Sequence, residues 1–137
     1  MGGLVLDASI TLTWCYPDEQ SDFAYRVLDA LEHRQAVVPA LWAIEIANSL
    51  VAGERRQRLT ASDIARFFEL LHGLSIETDT QTASRALSDT LQLARTHDLS
   101  AYDATYLELA MREGLGLATL DGRLERAAKA VGVELFT

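Results

Sequence analysis

The chain has 137 residues, enough for one globular domain with its own hydrophobic core, and we expect a single domain over residues 1–137. Hydrophobic residues make up 49% and charged residues 23%, a balance that excludes a disordered chain, and the single cysteine excludes an internal disulfide. A net charge of −8 disfavours a non-specific coat on nucleic acid or on an anionic membrane. No apolar stretch approaches the roughly 18 residues of a membrane span, so we expect a soluble cytoplasmic protein.

The first part of the chain alternates short apolar runs with helical patterns. Residues 4–6 and 36–38 are apolar runs typical of strands that are buried on both faces. A short helix is predicted over 9–14, with Ser9 as a possible cap, and a second helix is predicted over 22–32.

The next helix is predicted over 41–51 and is almost wholly apolar. A helix that is apolar all round should be largely buried, and Gly53 should end it. Residues 54–58, Glu-Arg-Arg-Gln-Arg, then form an exposed basic link. Thr60 with Asp63 three residues later resembles a capping box, which opens a helix that Gly73 closes.

The last part of the chain continues the same alternation. Strands are predicted over 74–76, 117–119 and 133–135. A helix over 82–96 should turn four residues inward: Ala83, Leu87, Leu91 and Leu93. Further helices are predicted to open at Ser100, with Asp103 completing a second capping-box pattern, and at Asp121. Short strands that alternate with helices indicate an α/β fold, a parallel sheet covered on both faces.

Four carboxylates stand out against this fold. Asp7 and Asp121 follow predicted strands, so both fall at the carboxyl edge of the sheet, where functional crevices form. Asp103 opens a helix that starts from the same edge, and Glu45 lies in the apolar helix. Taken singly, Asp103 and Asp121 could be helix caps, Asp7 could accept backbone N–H groups, and Glu45 could have an arginine partner.

Together, four such carboxylates repel one another, so either protons or divalent cations must neutralise them. An all-oxygen site without cysteine or histidine suits Mg²⁺ or Mn²⁺, and such a site favours hydrolysis of a phosphodiester bond. Asn48, three residues after Glu45, could orient a water or phosphate. Ser9 and Thr119 could support the site with their hydroxyls.

Four segments in this order resemble the PIN-domain family, and within it the VapC-type toxins. They are Val-Leu-Asp-Ala-Ser at 5–9, Pro-Ala-Leu-Trp-Ala-Ile-Glu-Ile-Ala-Asn at 39–48, Tyr-Asp-Ala-Thr-Tyr-Leu-Glu-Leu-Ala at 102–110 and Thr-Leu-Asp-Gly-Arg-Leu at 119–124. The resemblance implies a three-layer α/β/α fold with a short, mainly parallel central sheet. It also implies a Mg²⁺- or Mn²⁺-dependent endoribonuclease that acts on single-stranded RNA through Asp7, Glu45, Asp103 and Asp121.

The resemblance further implies a homodimer and a cognate VapB-type antitoxin, which would cover the acidic groove in a higher assembly. Four arginines could contact RNA or the antitoxin, although Arg55, Arg56 and Arg58 could equally be a solvated link; the fourth is Arg123. Whether Asp98 contributes to the acidic site is left open.

Two other functions remain as alternatives. One is a catalytically silent PIN-fold module that only binds or scaffolds. The other is a receiver-like signalling domain, which is disfavoured because such a domain needs a lysine near its final strands. Here the only lysine is Lys129, in the last predicted helix.

Overall fold

The computed structural model describes residues 2–137 and contains one parallel sheet of four short strands. The strands are β1 (Leu4–Leu6), β2 (Ala36–Val38), β3 (Ile76–Thr78) and β4 (Gly116–Ala118). Their order in the sheet is β3-β2-β1-β4, and every neighbouring pair is parallel. All carboxyl ends of the strands therefore meet at one edge.

Helices connect and flank the strands. They are α1 (Ala8–Thr13), α2 (Asp22–Ala30), α3 (Leu41–Arg55), α4 (Ala61–His72), α5 (Thr82–Arg85), α6 (Leu91–His97), α7 (Ala101–Glu113) and α8 (Gly122–Ala130), with a π-helical turn over Ala86–Thr90 between α5 and α6. The central strand β1 is fully buried, as the apolar run predicted. The predicted α/β fold with a parallel central sheet is confirmed. None of the helices in residues 2–137 is long and apolar enough to cross a membrane.

Three strand predictions differ from the structure, and the smallest difference is at β4, which lies one residue earlier than the predicted 117–119. The third strand begins two residues later than predicted, because the end of α4 continues in turns up to the Leu74 N–H, which donates to the Leu71 carbonyl. The predicted strand at 133–135 is wrong: only Leu135 forms an isolated parallel bridge, to Leu117. The carboxyl-terminal segment therefore touches the open side of β4 without extending the sheet.

Helix α3 differs from its prediction in length and in burial. It runs through Gly53 to Arg55, so Gly53 does not end the helix; a glycine stands there because neighbouring side chains approach closely. A Cβ at Gly53 would stand 2.5 Å from the Tyr16 hydroxyl and 2.7 Å from Leu59 Cδ1. The helix is also not largely buried, since Ile44 is 71% exposed.

The predicted helix over 82–96 is divided by the π-helical turn. Leu87, expected to point inward, is 88% exposed, and Ala83 is also exposed. A π turn contains one more residue than an α turn, so it rotates the neighbouring side chains out of the 3.6-residue register. The prediction of an inward face therefore fails at these two positions, whereas Leu91 and Leu93 are half-buried.

Local hydrogen bonds explain the helix starts. Thr60 and Asp63 form the predicted reciprocal capping box at α4. Ser100 accepts a hydrogen bond from the Asp103 N–H at 3.1 Å and so begins α7. Ser9 does not cap α1: the N-terminal cap position belongs to Asp7, and the Ser9 hydroxyl instead donates to the Asp7 carboxylate.

Candidate metal centre

The fold brings the four predicted acids to the carboxyl edge of the sheet. Asp7 follows β1, Asp121 precedes α8, Asp103 lies in the first turn of α7, and Glu45 lies near the start of α3. Their charges act on one another. The Asp121 carboxylate raises the pKa of Asp7, Asp121 and Asp7 raise the pKa of Asp103, and Asp7 and Asp103 raise the pKa of Glu45. We define these four residues as the acidic cluster.

Asp7 is the most deeply buried member, with 5% of its surface exposed. Its Oδ2 accepts hydrogen bonds from the Thr119 hydroxyl at 2.6 Å and the Ser9 hydroxyl at 2.8 Å. Burial raises the pKa of Asp7, and these hydrogen bonds offset only part of the rise. The side chain is thus fixed in position while its ionised form lacks a compensating positive charge.

Asp121 is joined to Asp7 through Thr119. The Asp121 N–H donates to the Thr119 hydroxyl oxygen at 3.0 Å, and the same hydroxyl donates to Asp7. The Asp121 Oδ1 accepts from the Leu124 N–H at 3.0 Å, so Asp121 also caps α8. Asp121 therefore caps α8, as the sequence allowed, and it is also a member of the acidic cluster.

Glu45 has a partner that sequence reasoning missed. Its Oε1 accepts a 2.5 Å hydrogen bond from the hydroxyl of Tyr106, a fully buried residue of α7. Burial raises the pKa of Glu45, while this hydrogen bond lowers it. Because Tyr106 lies three residues after Asp103, it shares a helix face with that acid, and this spacing was the available signal.

Asp103 is the predicted site acid on α7, and its side chain is half-buried. Burial is the largest cause of its raised pKa, followed by the charges of Asp121 and Asp7. Its backbone N–H is bound by Ser100, so the first turn of α7 is fixed while the carboxylate faces the other acids. The hydrogen bond that caps α7 thus joins the Ser100 side chain to the main-chain N–H of Asp103.

No member of the acidic cluster forms an ion pair with arginine, lysine or histidine within residues 2–137. Across the same residues, no group of three or more acidic, histidine or cysteine side chains is close enough to hold a metal ion directly. The donor chemistry nevertheless fits a hard divalent cation, since every donor is an oxygen and no basic side chain competes. Mg²⁺ retains several of its waters in proteins, so these carboxylates could hold it through its bound waters.

The other predicted residues lie elsewhere on α3 and α8, and Arg55 and Arg56 are at the far end of α3 from Glu45. Asn48 is exposed on α3, one turn beyond Glu45. Arg55 lies in the last turn of α3, and Arg56 follows at the end of the helix. Arg123 is exposed in the first turn of α8. The structure thus brings the acids together and leaves these four side chains at the surface.

Arg58 makes several protein contacts. Its guanidinium binds Glu19 at 2.6 Å and Asp18 at 3.2 Å, and it lies 4.4 Å from the centre of the Tyr16 ring. These contacts engage its charge within the protein. Asp98 ends α6 in a left-handed backbone conformation.

A second ionic group lies farther along α7. Arg112 binds Asp79 at 2.7 Å and Glu108 at 2.9 Å, and all three side chains are largely buried. The Arg112 guanidinium lowers the pKa of Asp79 below its ordinary value. This network contrasts with the acidic cluster: here buried carboxylates have a basic partner, which secures the structure.

Comparisons with known proteins agree with this architecture. The family model described as "PIN domain" matches residues 4–130. The chain is 31% identical over 121 residues to a curated protein of Pyrobaculum aerophilum named Ribonuclease VapC3, covering 88% of this chain and 91% of that protein.

Two solved structures share the fold. One is VapBC2 from Rickettsia felis bound to a promoter DNA fragment, with a TM-score of 0.70, 14% identity, and coverage of 99% of this chain and 98% of that chain. The other is a toxin–antitoxin complex from Klebsiella pneumoniae, with a TM-score of 0.56, 19% identity, and coverage of 87% and 86%. The family match, the related ribonuclease and the shared sheet agree: the chain belongs to the PIN-domain family.

Proposed function

We propose that this protein is the toxin of a toxin–antitoxin pair and a metal-dependent endoribonuclease that hydrolyses phosphodiester bonds in single-stranded RNA. The observation that carries the proposal is the acidic cluster, four carboxylates that gather at the carboxyl edge of the sheet and have no basic partner among residues 2–137. The 31% identical relative is named a ribonuclease, which supports the same chemistry.

The residues that would hold Mg²⁺ or Mn²⁺ are Asp7, Glu45, Asp103 and Asp121. When bound, such a cation supplies an activated water and stabilises the negative charge that develops on the phosphate. The chain's own contribution is preorganisation of its carboxylates. Ser9 and Thr119 are supporting residues that hold the Asp7 side chain, and their hydroxyls make its orientation independent of the cation.

Tyr106 has a comparable positioning role toward Glu45. Its hydroxyl keeps the Glu45 carboxylate aimed from α3 toward α7 and favours the ionised form of that carboxylate. Asn48 remains a candidate for orienting a water or a phosphate, because it is exposed one helical turn away.

The proposed partners are a VapB-type antitoxin and a second copy of the chain, in a single-domain protein that acts in the cytoplasm. Related structures solved as VapBC and toxin–antitoxin complexes support the antitoxin.

The decisive experiment is cleavage of total cellular RNA by purified protein in Mg²⁺, in Mn²⁺ and in EDTA. We expect discrete fragments that require the cation and disappear in Asp7→Asn. Asp29→Asn, an exposed position on α2, removes the same charge and should cleave normally. Full cleavage by a folded Asp7→Asn protein would contradict the assignment of the site. No cleavage by folded, cation-binding native protein would favour the catalytically silent module.

A further inference from the structure

A second cleft lies next to the acidic cluster, between the end of α6 and the first turns of α8. It has a volume of about 390 Å³. The residues that line it are His97, Asp98, Arg123, Arg126 and Ala127. With one carboxylate against two guanidinium groups, its side chains carry a net charge of +1 even when His97 is neutral. We call it the basic cleft, and it contrasts with a chain whose net charge is −8.

The positions of the two arginines on α8 are electrostatically unfavourable. Arg123 and Arg126 are three residues apart on α8, so they share a helix face and repel each other. Arg123 also lies in the first turn, where the positive end of the helix dipole disfavours a cation. Within the part of the chain that the structure describes, neither arginine forms an ion pair that would offset these costs.

The basic cleft adjoins the acidic cluster through the start of α8. Arg126 folds back over the first turn of the helix, since a Cβ added at Gly122 would stand 3.5 Å from the Arg126 Nη1. Gly122 directly follows Asp121, which caps the same helix. A chain of phosphates that passes the acidic cluster at Asp121 therefore meets the arginines next.

We propose that the basic cleft binds a backbone phosphate of the RNA strand, beside the phosphodiester that is cut. The inference rests on the proposed function. Arginine is suited to this task because its planar guanidinium donates paired hydrogen bonds to phosphate oxygens. An anion between Arg123 and Arg126 also removes their mutual repulsion. The contact positions the strand without reading its sequence, because a backbone phosphate is the same at every nucleotide.

The test measures binding of a fluorescent single-stranded RNA at several salt concentrations, in an Asp7→Asn background that does not cut it. Arg123→Gln/Arg126→Gln should lower the salt dependence of log K by about 0.7, the value for one lost phosphate contact on a single strand. It should weaken binding to RNAs of different sequence equally. The control pair is Arg95→Gln/Lys129→Gln, which removes the same charge from exposed positions on α6 and α8 outside the cleft. Its salt dependence should match that of the background protein.

Each result separates this inference from the proposed function. If native protein cuts RNA but the Arg123/Arg126 pair leaves the salt dependence unchanged, the basic cleft does not hold phosphate, although the nuclease stands. If both variant pairs lower the salt dependence equally, the effect comes from overall charge, and the proposal that the basic cleft binds phosphate is overturned. If Arg123→Gln/Arg126→Gln loses antitoxin binding but keeps RNA binding, the basic cleft binds an acidic peptide and not RNA. If native protein cuts no RNA in the presence of a cation, the proposed function itself fails.

Discussion

Replacing Asp7 by asparagine should make the cation-free protein more stable while abolishing cleavage. Asp7 is buried among three other carboxylates, and burial and Asp121 both raise its pKa. At pH 7 its ionised form is therefore less favourable in the folded chain than in the unfolded chain. Asparagine has nearly the same shape, and its Oδ1 can still accept hydrogen bonds from Ser9 and Thr119.

The size of the effect follows from the charges that are relieved. One pKa unit corresponds to about 1.4 kcal/mol, and repulsion between neighbouring carboxylates at an effective dielectric constant near 20 is of the order of a few kcal/mol. Hydrogen bonds to a charged carboxylate are stronger than those to an amide, which offsets part of the gain. We expect the free energy of unfolding to rise by about 1 to 3 kcal/mol, which corresponds to about 3 to 10 °C in Tm for a domain of this size.

Thermal unfolding followed by circular dichroism at pH 7 measures this effect, with one series in EDTA and one in Mg²⁺. Native protein should gain stability from Mg²⁺, because an ion that binds only the folded state raises Tm. Asp7→Asn should start higher in EDTA and gain less from the cation, while Asp29→Asn should follow the native curve. A lower Tm for Asp7→Asn in EDTA would refute the reasoning, since the Asp7 carboxylate would then be stabilising.

Two further predictions concern stability alone. The pKa of Asp79 is lowered from its ordinary value of 3.8 by Arg112, so this ion pair stabilises the fold above about pH 4, and its contribution is lost as the pH falls through the lower folded pKa. Asp79→Asn should flatten the acid limb of a Tm-versus-pH curve and cost about 2 to 3 kcal/mol at pH 7, because Arg112 keeps a second carboxylate partner; an unchanged acid limb would contradict this. Gly53→Ala should cost about 1 to 3 kcal/mol in urea unfolding despite the better helix propensity of alanine, because its Cβ displaces the Tyr16 hydroxyl. Gly73→Ala, where the nearest atom is a carbonyl oxygen at 3.5 Å, is the control, and equal losses at both positions would argue against the steric cause.

The sheet was predictable because its strands are short apolar runs whose only stable position is between helices. The runs at 4–6 and 36–38 match β1 and β2 to the residue, and parallel topology puts Asp7 after β1 and Asp121 after β4 at the same edge. The segment at 133–135 has a similar composition, yet it forms one bridge to Leu117. Composition alone does not reveal how many residues of such a segment will pair with the neighbouring strand.

Helix predictions failed where periodicity was interrupted or where apolar residues face outward. The π-helical turn over Ala86–Thr90 changes the register within one helix, and Leu87 consequently points to solvent. In α3 the apolar pattern was taken as a sign of burial in the domain, although Ile44 is exposed. A sequence pattern reports that a surface is apolar, and it does not distinguish a core from a surface available to another chain.

Within the acidic cluster, the sequence analysis named Ser9 and Thr119, whose hydroxyls bond to Asp7, but not the partner of Glu45. Tyr106 had no functional assignment in the sequence analysis, and its hydroxyl contact with Glu45 depends on how α3 and α7 pack. Long-range contacts of this kind join residues that are 61 positions apart in the chain. No periodicity within either helix encodes that distance.

The turn between β4 and α8 connects the parts of the proposed function. Thr119 holds Asp7, Asp121 completes the acidic cluster and caps α8, and the helix then presents Arg123 and Arg126 to the basic cleft. An acidic enzyme must overcome repulsion from a polyanionic substrate, and a strand that approaches this turn meets positive charge directly beside the carboxylates. Because Asp121 fixes the first turn of α8, displacement of that residue would disturb both sites at once. Under the proposed function, Asp7, Asp121 and the two arginines would form one surface for a phosphate chain, connected by the eight residues from Thr119 to Arg126.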